Sequence, residues 1–277
     1  MDNKSRRALL AMECQQYRQY SVLRLAGSIF AVAGRGFFRC LTRNPTVIDL
    51  ECVEQIRRFA LSTLIPAFTT TALYAILLTY VIVAETRAPA AFESLVLPRL
   101  GGIFVEYLIP LAIANLVVMK GVVAMTSDIA SMRVSQEIEA LEVAGLNPME
   151  MIFAPRAIAL MIAAPSLSIV GVYAGFVGAW AVAYFLWAPQ IGSFLQLFAS
   201  GVSQLALLHT AIKVLFIAFV MAVISGHFGF RRMEAEIGQV GRITTRAAVS
   251  AVLGITTVNL IFNLLDWVTP HLSGVWR

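Results

Sequence analysis

The chain has 277 residues, of which 59% are hydrophobic and only 13% charged, and its net charge is +5. A soluble domain is typically about 25% charged, so this chain has too few charges to coat a water-facing surface and reads as an all-α integral membrane protein. Its basic surplus is then a topology signal before it is a nucleic-acid footprint, and no nucleic-acid partner is expected.

Residues 1–58 form a basic, mixed N-terminal region, and 59–277 carry the long apolar segments. The opening MDNKSRR is polar and leads into no secretory signal. Cys14, Cys40 and Cys52 all precede the first long apolar run and form no CxxC pair. They read as unlinked thiols on a reducing side, and the scattered His209, His227 and His271 give them no metal partners. Val22–Phe38 has an uncharged stretch only from Leu25 to Gly34, bracketed by Arg24, Arg35 and Arg39. A span needs roughly 20 apolar residues, so this piece reads as an amphipathic helix lying in the interface.

Five segments are long and apolar enough to cross a bilayer: about Phe59–Ala84, Ile103–Met125, Ala157–Trp187, Leu205–Ser225 and Ala247–Val268. Backbone groups in hydrocarbon must bond internally, so each is predicted as a helix. Pro165 is placed to kink the third, and Gly171 and Gly175 give it a GxxxG spacing suited to close helix packing. With the N-terminus inside, every one of the 21 Lys and Arg residues lies on the inner side except Arg87, Arg99 and Arg277, which lie outside, and Lys213, which falls within the fourth span. That asymmetry predicts a cytoplasmic N-terminus and an external or periplasmic C-terminus.

The connection after the second span reads SQEIEALEVAGLNPMEMIFAPR. Ser135 can cap a helix N-terminus and Glu137 then sits in its first turn. Gly145 suits a left-handed C-terminal cap, and Asn147-Pro148 stops the helix. Ile138 and Leu141 share one face; Glu139 and Glu142 share another. The expectation is a short amphipathic helix over about 135–145 with a paired acidic face. Two readings follow: a solvated connector, or a docking helix for a cytoplasmic partner.

Several polar residues lie within or beside the spans. Glu106 is near the outer end of the second span, where it either serves the function or reaches water. Lys120 lies about 21 Å further along that helix, at a depth where lysine snorkels. Lys213 could snorkel, pair with an acid or meet a lipid headgroup. Asn259, Asn263 and Asp266 form a polar stripe on the fifth span, either for interhelical hydrogen bonds or as the lining of a cavity. Arg242, Thr244, Thr245 and Arg246 precede that span and read as capping threonines with an inner-side anchor; Glu234 and Glu236 in the same loop could touch a partner.

Two separated motifs resemble the MlaE/YrbE permease family, the membrane subunits of lipid-transporting ABC systems associated with MCE-domain proteins. The first comprises Gln136-Glu137-Ile138-Glu139-Ala140-Leu141, Gly145-Leu146-Asn147-Pro148 and Pro155-Arg156, with Asp128 and Met132-Arg133 upstream. The second is Val240-Gly241-Arg242-Ile243-Thr244-Thr245-Arg246-Ala247-Ala248-Val249. The likeness covers roughly Arg57 to Val268. Where the family has G-R-A-G-S this chain has Met119-Lys120-Gly121-Val122-Val123. Where it has E-L-G-P this chain has Glu106-Tyr107-Leu108-Ile109-Pro110, one residue longer between acid and proline.

The resemblance implies a permease in the bacterial inner membrane that pairs with a second copy of itself or a related permease. Its other partners would be a cytoplasmic ABC ATPase, an MCE-domain protein on the periplasmic or outer side, and a lipid substrate. Glu137, Glu139, Leu141, Glu142, Gly145 and Pro148 would form the ATPase-coupling element. Glu106, Lys120, Asn259 and Asn263 are the candidate lipid-cavity residues. Gly241, Arg242, Thr244, Thr245 and Arg246 would be a structural motif. The chain shows no GxxxxGK[ST] loop, so ATP and Mg are expected on the partner ATPase and no cofactor on this chain.

Two other functions compete. An ion- or proton-coupled transporter of a hydrophobic substrate usually shows repeated halves and midplane charges, and five spans do not divide into equal repeats. An intramembrane enzyme needs a nucleophile with a base, or metal ligands at helical spacing. The histidines have no acid at i±3 or i±4, and neither GxSxG nor HExxH occurs.

Overall fold

The computed structural model describes Arg24, Gly27 and residues 47–86, 96–187, 190–230 and 237–268. Apart from Arg24 and Gly27, the expected interfacial helix at Val22–Phe38 lies outside what is described, as do Cys14, Cys40, His271, Glu234 and Glu236 and the side chains of Cys52 and Asp266. Among the described residues every regular element is helical. The helices are α1 (Val47–Thr86), α2 (Leu97–Val134), α3 (Glu137–Val143), α4 (Ala154–Trp187), α5 (Ile191–Ser200), α6 (Gln204–Gly229) and α7 (Ile237–Val268). Five are long and apolar enough to cross a membrane, as the sequence predicts: Val53–Ala84, Leu97–Val134, Met149–Leu186, Gln204–Gly229 and Val240–Leu265.

The helices run several residues past the apolar segments because polar residues outside hydrocarbon continue the same backbone ladder. The predicted second span, Ile103–Met125, is the middle of a helix that reaches Val134. The fifth likewise begins well before Ala247, so Thr244 and Thr245 lie inside α7 and do not cap it. Their hydroxyls donate to the carbonyls four residues back, Val240 and Gly241, at 2.8 and 2.9 Å.

Compact packing divides the chain into two units. One gathers Val118–Leu160 and Phe219–Ala251 with residues 47–56; the other gathers Arg57–Val117, Met161–Ala218 and residues 252–268.

In the second unit α1 buries a single stripe, Thr63, Ala67, Thr71, Ala75, Thr79 and Val83, with one residue per turn. Small side chains at i, i+4 let backbones approach, which drives helix association where lipid is as apolar as leucine. The GxxxG pair on α4 meets this need: Gly171 faces Thr71 and Ile109, and a Cβ at Gly175 would overlap the Phe104 ring. Phe176 of α4 packs against Phe194 and Phe198 of α5, with ring centroids 5.9 Å apart in both pairs. Helix α5 is too short to span, which is why apolar length alone does not reveal it.

Burial ranks the spans. In its most apolar window α2 is 61% buried, α1 28% and α7 only 17%. So α2 is packed on most of its surface, whereas α1 and α7 turn broad apolar faces outward, including Leu61, Ile65, Leu77, Leu253 and Leu260. Replacing Gly175 by valine is expected to cost about 1–3 kcal/mol through overpacking against Phe104. A detergent-unfolding titration of the purified chain checks this, and an unshifted midpoint would contradict the packing described.

Candidate functional site

Two clusters bring together residues that the sequence singles out. The first lies in the second unit, where α2 departs from α-helical geometry. Phe104–Leu108 is a π turn: the Ile109 N–H reaches back to the Phe104 carbonyl, five residues away. The Val105 carbonyl therefore loses its usual donor. Pro110 has no N–H for the Glu106 carbonyl four residues earlier. Both freed acceptors are met from α6, since the Thr210 hydroxyl donates to Val105 O at 3.0 Å and Lys213 Nζ reaches Glu106 O at 3.4 Å.

Lys213 is fully buried. Its Nζ also donates to Asn263 Oδ1 on α7 at 2.7 Å and sits 5.7 Å from the centre of the Tyr107 ring. A buried ammonium is stable only when its protons find acceptors, and this set of carbonyl, amide and ring face supplies them. Lys213 thus turns inward to a carbonyl and an amide, partners outside the alternatives of snorkelling, an acid or a lipid headgroup. The Glu106 side chain is half-buried beside this cluster. Asn259, one turn back from Asn263, donates instead to the Ile255 carbonyl of its own helix at 3.2 Å. Of Asn259 and Asn263, then, it is Asn263 that bonds to a neighbouring helix. Lys120 belongs to the other unit, half-buried within a second π turn of α2, Val117–Val122.

The second cluster lies in the first unit around α3. Ser135 does not cap this helix. It ends α2, and its single hydroxyl proton has Glu137 Oε1 at 2.9 Å as its shortest acceptor, with the Ser131 and Met132 carbonyls, both at 3.2 Å, as alternatives. The N-cap is Gln136, which adopts a left-handed conformation with φ 63° and makes no side-chain cap bond. The C-terminus closes as a Schellman motif, with the Gly145 N–H on Glu142 O and the Leu146 N–H on Leu141 O. Gly145 has φ +75°, the conformation that glycine adopts without a Cβ penalty. Asn147 then starts the next turn, its Oδ1 accepting from the Met149 N–H at 3.1 Å, while Pro148 is buried.

Ile138 is the buried anchor of α3. Glu139 turns toward Arg133 of α2, with Nε to Oε1 at 3.5 Å, and Arg133 Nη1 donates to the Phe230 carbonyl beyond α6 at 2.8 Å. Arg156 of α4 approaches Asp128 of α2 at 3.7 Å. Asp128 and Arg156, far apart in sequence, are thus neighbours, as are Arg133 and Glu139. Glu142 and Leu141 are half-buried, and Val143, at 90% exposure, is the most exposed large apolar residue of the chain's described part. Arg242 and Arg246 lie exposed on α7 around the buried Ile243, and Gly241 is in open space.

The profile of the Permease MlaE family matches residues 52–265. The chain belongs to the MlaE permease family. Among its relatives are probable ABC transporter permeases of Rickettsia prowazekii, 27% identical over 142 residues, and Rickettsia typhi, 28% identical over 143. Each alignment covers 51% of this chain, and the chain spans about half the length of these relatives, 54% and 55%. The MlaE permease of the intermembrane phospholipid transport system of Haemophilus influenzae is 27% identical over 187 residues, covering 67% of this chain and 70% of that protein.

The sequence alone did not connect Lys213 with Asn263 or Arg133 with Glu139. The available signal was Pro110: a proline inside a span frees a carbonyl, and a buried donor must then be sought on a neighbour. Replacing Lys213 by methionine is expected to cost about 1–3 kcal/mol, because the Glu106 carbonyl and Asn263 lose a buried donor. Unfolding of Lys213→Met, Asn263→Leu and the double variant checks the link: the double variant should lose less than the sum of the two single losses.

Proposed function

We propose that this chain is the permease subunit of an ABC system that moves phospholipid between the bacterial inner membrane and a partner on its outer side. The observation that carries this reading is the family match over residues 52–265, together with a relative named for intermembrane phospholipid transport. ATP and Mg would be bound by a separate cytoplasmic ATPase, and an MCE-domain protein would exchange lipid on the periplasmic side. The broad apolar faces of α1 and α7 suit a second copy of the chain, with lipid taken up between the copies.

In this reading α3 is the coupling helix, in contact with the ATPase on the cytoplasmic side. Its shape refines the choice of contact residues. Glu139 is occupied by Arg133, whereas Val143 and Leu146, 90% and 44% exposed, project at the closed end of the helix. An apolar knob of this kind fits a groove on an ATPase surface, with Glu142 and Glu137 as a charged rim. Burying the valine side chain on docking is worth roughly 1.5–3 kcal/mol, enough for one substitution to weaken the assembly about tenfold or more.

The test is purification of the tagged chain from its own host in mild detergent, with mass spectrometry of co-purifying proteins and lipids. An ATP-binding subunit and phospholipid should accompany the parent chain. Val143→Asp should lose the ATPase while keeping the fold, and Glu137→Lys with Glu142→Lys should also lose it. If no ATPase accompanies the parent under any mild condition, the ABC reading fails and an ion-coupled transporter becomes the better account.

A further inference from the structure

We propose that Arg133 is a positioning residue that locks α3 to the ends of both α2 and α6, so that a push on α3 moves these ends as one body. The proposal deepens the coupling reading of α3 and rests on it.

A narrow seam between α2 and α6 leads up to Arg133. The Thr126 hydroxyl reaches the Ser225 carbonyl at 3.4 Å, and the Ser225 hydroxyl reaches Met125 Sδ at 3.2 Å; these groups are buried. One turn further, a Cβ on Gly229 would lie 2.9 Å from Ile129 Cβ. Glycine there lets α6 close onto α2, and that approach delivers the Phe230 carbonyl to the next turn of α2. Arg133 occupies that turn, 6% exposed. The Phe230 ring, 2% exposed, stands edge-on to Phe153 at 6.1 Å. The carbonyl is therefore held in place by its own side chain as well as by the seam.

The chemistry at the end of the seam requires an arginine. The Phe230 carbonyl lies just beyond a helix C-terminus, where acceptors lack intrahelical donors and carry negative partial charge. A guanidinium presents several N–H groups in a rigid plane, so Nη1 can hold this carbonyl while Nε faces Glu139 of α3. A lysine ammonium has no such fixed fork. One side chain thereby joins three helix ends.

The elbow between α2 and α3 points the same way. Gln136 sits at φ 63° without being glycine, a conformation that persists only where the surroundings over-determine it. Those surroundings are the buried Ile138, the Ser135 hydroxyl that reaches across the elbow to Glu137 Oε1, and the Arg133–Glu139 pair. An elbow fixed in this way transmits a displacement; a loose one would absorb it.

The test uses spin labels at Ala140→Cys on α3 and Phe228→Cys on α6, with Cys14, Cys40 and Cys52 replaced by serine. Electron–electron distance distributions are recorded on the purified chain, and again on its complex with the ATPase before and after trapping with ATP and vanadate. Expected is one narrow distribution that keeps its width in every state. Arg133→Lys should broaden it at least twofold. Glu139→Ala, which leaves the Arg133–Phe230 bond in place and so spares the fold, should broaden it as well. In the complex, both variants should keep ATP hydrolysis within about twofold of the parent while release of fluorescent phosphatidylethanolamine from proteoliposomes falls about tenfold.

A distribution equally narrow in both variants overturns the proposal, as does transport that stays proportional to hydrolysis. If no ATPase joins the parent chain, the coupling reading fails by itself, and the distances on the isolated chain still decide whether Arg133 locks the three ends.

Discussion

Hydrocarbon offers no water to a backbone carbonyl, and the architecture around α2 is organised by that single constraint. A π turn and a proline remove the intrahelical donors of two successive acceptors, Val105 and Glu106. The protein answers with two side chains from one neighbour, Thr210 and Lys213. The answer fixes the axial register of α6 against α2, because a shift by one turn would leave both carbonyls bare. It also draws in α7, since the buried ammonium needs a further acceptor and Asn263 provides it. A local irregularity in one helix thus specifies how two others pack.

The α3 region solves a different problem with similar means. A seven-residue helix is too short to be stable by its own hydrogen bonds. It is held by a buried isoleucine, a Schellman closure at Gly145, and an ion pair to the helix before it. The residues that secure α3 lie in the stretch that resembles the MlaE family, so much of that stretch is explained by folding before any partner is invoked. What remains outward, chiefly Val143 and Leu146, is apolar.

The five spans and the closing glycine of α3 could be read from the sequence, because apolar length and a Gly before Asn-Pro are local signals with local causes. The capping roles of Ser135, Thr244 and Thr245 were misread for a common reason. Hydroxyl residues near a helix boundary also bond backward to a carbonyl three or four residues earlier, and the sequence does not say on which side of the boundary they fall. The polar stripe Asn259–Asn263 was visible as a stripe, but its division of labour depends on α6 lying beside Asn263. For Lys213 the sequence leaves snorkelling, an acid partner and a lipid headgroup all open. Its true environment was set by a proline more than a hundred positions earlier, a relation that no periodicity displays.

The chain contains only three lysines, Lys4, Lys120 and Lys213, and the last is sealed from solvent. Amine-directed chemistry in water therefore does not reach Lys213 while the molecule is at rest. Lys213 acts as a latent reporter: its acylation by a water-soluble ester requires the contact between α2, α6 and α7 to part. A mass shift on the peptide carrying it would register that opening in a native membrane, without any engineered probe.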